Sequence, residues 1–117
     1  KELNFDLDKW KNNKMAELQN LINLYGPLPA KAFPGRATIL IKLLGLSVKH
    51  ISAVYEIKGS IKTGNYVPGT RIPILPEADL YKIKEQKPII NLAWHIPQAV
   101  RNNLSFNNYL AEVIDIK

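Results

Sequence analysis

Phe33-Pro-Gly-Arg-Ala-Thr-Ile-Leu-Ile-Lys-Leu-Leu-Gly45 is the stretch on which the fold turns. It reads as the end of a strand, a tight turn at Pro34 and Gly35, and a helix from about Arg36 to Leu44 that Gly45 stops. A strand that feeds a helix this closely is the first half of a crossover unit, and crossovers join parallel strands. The same turn exposes backbone N–H groups and the positive end of a helix dipole, which is a place for phosphate, and Arg36 adds a charge there. Only one glycine is present and the G-x-G-x-x-G fingerprint is missing, so an ordinary strand-to-helix turn stays open beside the phosphate site.

Upstream, Met15, Leu18, Ile22 and Tyr25 follow helical spacing with Leu21 alongside, while Lys11, Asn12, Asn13, Gln19 and Asn20 take the other face. This predicts a helix from about Asp8 to Tyr25, capped by Asp6 or Asp8 and ended by Gly26 and Pro27. The first strand is expected at 30–33. Downstream, Ile51-Ser-Ala-Val-Tyr55 is the second strand, and Glu56 at its end stands where dinucleotide-binding folds place an acid against a ribose. A surface ion pair with Lys58 or Lys62 is the alternative role for that residue. Ile72-Pro-Ile74 fits a brief edge strand, Pro76 and Glu77 open a short helix to about Lys84, and 89–94 is a buried strand. A helix follows from Pro97 to about Leu104, and 109–116 is the last strand.

Alternating strands and helices imply an α/β fold: one three-layer, Rossmann-like domain with a mainly parallel sheet of five strands and helices on both faces. The expected strand order is 3-2-1-4-5. In this organisation residues 1–25 form an N-terminal helix with its lead-in and 26–117 a half-Rossmann core. Ligands of such sheets gather at the C-terminal strand ends, beside the point where the strand order reverses. Gly35, Arg36, Glu56 and the Trp94-His95 pair are expected to meet there. From the same edge leaves the segment Tyr55 to Ile74, in which three glycines, two prolines and the cations Lys58, Lys62 and Arg71 lie between apolar runs. It reads either as a ligand-facing loop or as a stiffened surface loop. His95 is placed to donate to a ligand or to cap the following helix, Trp94 to line the cleft or the core, and His50 to face solvent.

With 117 residues, of which 46% are hydrophobic, the chain holds one ordinary core. No apolar run approaches the roughly 18 residues of a membrane span, and a signal-peptide pattern is missing, so a soluble, cytoplasmic protein without a membrane partner is expected. The absence of cysteine and the presence of two lone histidines exclude a disulfide framework and a thiolate or zinc cluster built from this chain alone. A net charge of +6 favours anionic partners, yet Lys9, Lys11 and Lys14 look like the solvated side of a helix. No aromatic-interleaved basic stripe marks a nucleic-acid binder, and no nucleic-acid partner is expected. The chain begins at Lys1 rather than methionine, which fits a part excised from a longer multidomain enzyme.

Phe33-Pro-Gly-Arg-Ala-Thr38, Glu56-Ile-Lys-Gly-Ser-Ile-Lys-Thr-Gly64, Tyr66-Val-Pro-Gly-Thr-Arg-Ile-Pro-Ile74 and Leu92-Ala-Trp-His-Ile96, taken together, resemble the C-terminal domain of the sugar-nucleotide C-methyltransferases. The run Lys62-x-Gly-x-Tyr-x-Pro-Gly-Thr-x-Ile-Pro-Ile74 is its most specific part. The chain departs from that pattern at Phe33-Pro34, where the family usually has Gly-Ala, and at Glu56, where it often has Asp. The resemblance implies a full enzyme with a small zinc-binding domain, a central S-adenosylmethionine domain and this α/β domain. It implies methyl transfer to the ring carbon beside the ketone of a nucleotide-linked deoxysugar. The family's catalytic base, the histidine of a Tyr-x-Glu-His motif in the central domain, is not in this chain. Accordingly the chain alone is expected to bind no S-adenosylmethionine and no metal and to methylate nothing. The expected role is to close over the sugar nucleotide with Gly35, Arg36, Glu56, Lys58, Lys62, Tyr66, Arg71, Trp94 and His95, with His95 the lone candidate for a catalytic part. A stand-alone nucleotide-binding regulatory module is the alternative.

Overall fold

The computed structural model describes residues 6–32, 35–57 and 62–117. Asp6 caps α1, Leu7–Tyr25, by accepting from the backbone N–H of Lys9 at 3.0 Å. Gly26, at φ +79°, closes the helix with its N–H on the carbonyl of Ile22. The strands are β1, Leu28–Lys31; β2, Ile51–Glu56; β3, Ile74–Pro76; β4, Ile89–Asn91; and β5, Val113–Asp115. Between them lie α2, Ala37–Leu44; α3, Glu77–Leu80; and α4, Pro97–Phe106. All four strand pairings are parallel and the order is β3-β2-β1-β4-β5, as the strand and helix alternation predicts. The strand order reverses at the junction of β1 with β4.

Strand alternation sends Leu28, Ala30, Val54, Ile74, Ile90 and Ile114 to one face, where they pack with Leu18 of α1 and Leu40, Ile41 and Leu44 of α2. Ala53, Tyr55, Ile89 and the neighbouring Leu75 and Val113 point to the other face, against Leu80 of α3 and Val100 and Leu104 of α4. The sheet is therefore the middle of three layers. β1 starts earlier than expected, at Leu28, and contains Pro29. Its pairing with β2 shifts register between Leu28 and Pro29, so Ser52 is an extra residue opposite a position that has no N–H to offer. β4 ends at Asn91, short of its apolar run, although Leu92 and Ala93 stay buried and the Leu92 N–H still donates to the Lys31 carbonyl at 3.2 Å, and β3 lies two residues later than expected.

β2 and β3 are parallel neighbours with no helix between them among the described residues, and the glycine-rich segment supplies the crossover. Gly64 donates to the Ile74 carbonyl at 2.9 Å, Ile74 to the Asn65 carbonyl at 2.8 Å, and Val67 to the Ile72 carbonyl at 2.9 Å, so 64–67 runs antiparallel to 72–74. Val67-Pro68-Gly69-Thr70 is the turn that joins the two arms, closed by Thr70 N–H on the Val67 carbonyl at 3.0 Å. Proline at the second position and glycine at φ +78° at the third are the requirements of a type II turn. The Thr70 hydroxyl donates to the Val67 carbonyl at 2.8 Å and accepts from the Ile72 N–H at 3.0 Å. Val67 and Ile72 are fully buried in the α1–α2 layer. The most specific motif of the sequence is thus, in its second half, a device for crossing the sheet without a helix.

Candidate functional site

Parallel strands whose connections leave at one edge concentrate side chains there without any helix or strand having to bend. At this edge, on the α3–α4 face, a groove of about 590 Å³ opens between Ile57, Thr63, Pro76, Glu77, Tyr81 and Asn103. Beneath it lies Lys31, the last residue of β1, at the point where the strand order reverses and only 5% exposed. A lysine so deeply covered needs partners for all its donors. The Lys31 ammonium donates to Glu77 Oε1, to Asn103 Oδ1 and, at 3.0 Å, to the Tyr81 hydroxyl. Tyr81 in turn gives its proton to Glu77 Oε1 at 2.5 Å.

The chemistry of the four groups is coupled. Burial pushes the Glu77 carboxyl up, but the hydrogen bonds from Lys31 and Tyr81 and the lysine charge outweigh it and hold the group below its ordinary range. Burial, reinforced by the Glu77 hydrogen bond and charge, pushes the Tyr81 hydroxyl far above the ordinary tyrosine value. At neutral pH Glu77 is therefore a carboxylate and Tyr81 a neutral phenol. Ala32, the next residue along, has φ +66°, a left-handed conformation unusual for alanine, while its N–H still donates to the Tyr55 carbonyl of β2 at 3.0 Å.

A second cluster closes the neighbouring end of β4 and β5. Asn91, fully buried, donates to Asp115 Oδ1 at 2.8 Å and accepts from the Ala93 N–H at 2.9 Å. Arg101 of α4 donates to the same carboxylate oxygen at 3.0 Å and to the Val113 carbonyl at 3.2 Å. These contacts tie α4 to the sheet, which fixes the position of Asn103 two residues on.

The residues singled out from the sequence are divided by the fold. Gly35 and Arg36 form the exposed turn before α2, where Arg36 takes the N-cap position in helical conformation without a side-chain cap. Glu56 ends β2 and is 9% exposed; alternation places it on the α1–α2 face, away from the groove. Lys58 lies outside the described residues, as do Phe33 and Pro34. Lys62 lies in the turn that precedes Thr63 of the groove wall. Tyr66 is 57% exposed on the descending arm. Trp94 packs against the α1–α2 core with its ring 5.5 Å from that of His95, edge to face, and the Lys117 ammonium 5.8 Å over it. His95 itself is exposed. Arg71 borders a separate hollow with Ser47, Val48 and Gly69, next to the start of β2, so the crossover carries it to the opposite edge of the sheet. His50 is half-buried rather than solvent-facing: its Nδ1 accepts from the Ser47 N–H at 3.1 Å, and burial, with the charge of Lys49, lowers its pKa.

Lys31, Glu77, Tyr81 and Asn103 were not among the residues that sequence patterns point to. Lys31 carries the one signal that was available, a cation inside a strand otherwise expected to be buried on both faces. Glu77 and Tyr81 share a helix face at i and i+4, but that spacing is common on solvated helices.

The family model of the C-methyltransferase C-terminal domain matches residues 4–112. The chain belongs to that family. Curated proteins give no match to it. The match spans every strand of this C-methyltransferase C-terminal domain except the last, and it includes both the Lys31 cluster and the type II turn. No helix among the described residues is long and apolar enough to cross a membrane, and no cluster of three or more His, Asp or Glu that fits a metal ion occurs among them.

Proposed function

We propose that this domain binds the nucleotide-sugar substrate of an S-adenosylmethionine-dependent C-methyltransferase and forms one wall of its cleft. The methyl donor and the base that removes the proton beside the ketone lie on other domains of the enzyme. The observation that carries the reading is the groove at the C-terminal strand ends beside the reversal point, floored by Lys31, Glu77, Tyr81 and Asn103. Small-molecule sites of α/β sheets occur at that place, and a mostly apolar wall with a few convergent polar groups is their usual composition. The family membership supports the enzyme class. Arg36 and Lys62 leave the strands at the same edge and supply positive charge for a diphosphate, with Gly35, Glu56, Lys58, Tyr66 and the Trp94-His95 pair as further substrate contacts. Arg71 borders a separate hollow at the opposite edge and is left out of this site.

The test is a two-dimensional amide NMR titration of the chain with a nucleoside-diphosphate hexose. Shifts concentrated at Arg36, Lys62, Thr63 and the α3–α4 residues support the reading, and in the full enzyme Arg36→Ala and Lys62→Ala raise the Michaelis constant for the sugar nucleotide. Shifts confined to surfaces away from the C-terminal strand ends, or unchanged Michaelis constants in both variants, refute it.

A further inference from the structure

We propose that the α3–α4 groove is a subsite for a neutral, hydroxyl-bearing ring, in which Glu77 and Asn103 take a pair of neighbouring hydroxyl groups and Lys31 is the positioning residue for both. The inference rests on the sugar-nucleotide reading and assigns the part of the ligand that this groove holds.

The argument starts from proton counting. An ammonium has three N–H groups, and those of Lys31 go to Glu77 Oε1, Tyr81 Oη and Asn103 Oδ1. It has no donor left for a ligand, and Glu77 already neutralises its charge. A phosphate seated here finds no available cation and meets a carboxylate, so the groove disfavours the anionic part of a nucleotide. Because an ammonium only donates, Asn103 has to present its oxygen to Lys31, which fixes the amide orientation and leaves the two Nδ2 donors pointing away from it. Tyr81 has a single proton, and Glu77 Oε1 receives it. Glu77 Oε2 and Asn103 Nδ2 thus keep their hydrogen-bonding capacity on the groove wall that both residues line.

A carboxylate acceptor beside an amide donor, both held by one ammonium, complements a vicinal diol: one hydroxyl donates to Glu77 and its neighbour accepts from Asn103. Asn107 adds a carbonyl, since its own amide N–H₂ is engaged on the Asn103 backbone oxygen at 2.8 Å. Ile57, Pro76 and Ala78 supply the apolar surface on which the C–H face of a ring rests. The bonds from Lys31 cost the wall none of this capacity. They hold the carboxylate ionised and both side chains in one rotamer, which lowers the ordering cost of binding.

A ring diol occurs both in a ribose and in a hexose, and titrations separate the two. The 117-residue chain is followed by amide NMR with thymidine diphosphate, which has neither, with uridine diphosphate, with thymidine-diphosphate glucose, and with methyl glucoside. Expected are shifts at Glu77, Tyr81, Asn103 and Asn107 with thymidine-diphosphate glucose and little change there with thymidine diphosphate. Equal shifts with uridine diphosphate assign the groove to the ribose. Asn103→Asp keeps an oxygen against Lys31 but removes the donors, and it is expected to weaken the groove response by about tenfold while the rest of the spectrum stays in place. Thymidine diphosphate acting as strongly as its glucose conjugate, or full affinity in Asn103→Asp, overturns the proposal. Sugar-nucleotide binding elsewhere at the strand edge overturns the subsite and spares the broader reading. A groove that answers methyl glucoside while no nucleotide binds keeps the subsite and removes the sugar-nucleotide reading. Silence with every probe overturns both.

Discussion

Replacing Lys31 by methionine isolates what the buried ammonium contributes. Methionine matches the lysine stem in length, so packing is kept and the charge is removed. Glu77, whose side chain is 15% exposed, is left as a carboxylate with its main partner gone. Breaking a fully buried pair costs about 3–5 kcal/mol, and the partial exposure of Glu77 puts this one at the lower end, about 3 kcal/mol. For a chain of this length that lowers Tm by about 12 °C. Removing both charges, as Lys31→Met with Glu77→Leu, is expected to bring stability back to within about 1 kcal/mol of the wild type, because an apolar pair carries no desolvation penalty. The acid limb supplies a second readout. In the wild type Glu77 is held low, so its contribution is complete above the ordinary glutamate range, about pH 4.3, and is lost as pH falls through the lower folded value. Without Lys31, burial dominates, the carboxyl titrates higher, and acid unfolding moves to higher pH. Urea unfolding followed by circular dichroism, with carbon-13 titration of the Glu77 carboxyl, measures both. A loss below about 1 kcal/mol for the single variant, or a double variant as unstable as the single one, refutes the reasoning.

Further outcomes follow from the same contacts. Gly69→Ala is expected to cost about 1–2 kcal/mol because of φ +78° and not because of crowding, since the added Cβ lies 3.7 Å from Lys42 Cε. Gly69→Asn should cost less, and equal losses for the two would remove the turn argument. Trp10→Phe deletes the indole bond to the Ile116 carbonyl at 3.0 Å that ties α1 to the end of β5, a loss of about 1 kcal/mol. Amide exchange of Ile114 and Ile116 should quicken, and unchanged protection counts against that tie. Burial, helped by nearby Tyr55, pushes the Tyr109 hydroxyl up to about 12. The folded state therefore holds this proton longer than the unfolded chain, so stability is full below about pH 10 and falls as pH rises towards the folded value. Absorbance at the tyrosinate band measures it, and Tyr109→Phe should remove that part of the alkaline limb.

Short-range chemistry in the sequence was sufficient for the element order. Asp6, Gly26 and Gly45 punctuate helices through local bonds, and the strand runs 51–55 and 89–94 needed only their apolar composition to be recognised. Parallel order followed, because each strand is separated from its partner by a crossover. The run Val67-Pro68-Gly69-Thr70 was equally visible, but its purpose was not. Proline and glycine at those positions mark a turn, and only the burial of Val67 and Ile72 shows that the turn is packed onto the sheet as part of the β2–β3 crossover.

What the sequence by itself determined was the parallel α/β sheet and its strand order, and with them the edge that carries the C-terminal strand ends, since hydrophobic period, capping and turn chemistry act between near neighbours in the chain. Which side chains meet at that edge was decided by the tertiary structure. Lys31, Glu77 and Asn103 are separated along the chain by 46 and 72 residues from the lysine and come together only when α3 and α4 pack on one face. The same packing turned Glu56 to the other face and Arg71 to the other end, because strand alternation and crossover direction follow from long-range pairing that no local pattern records.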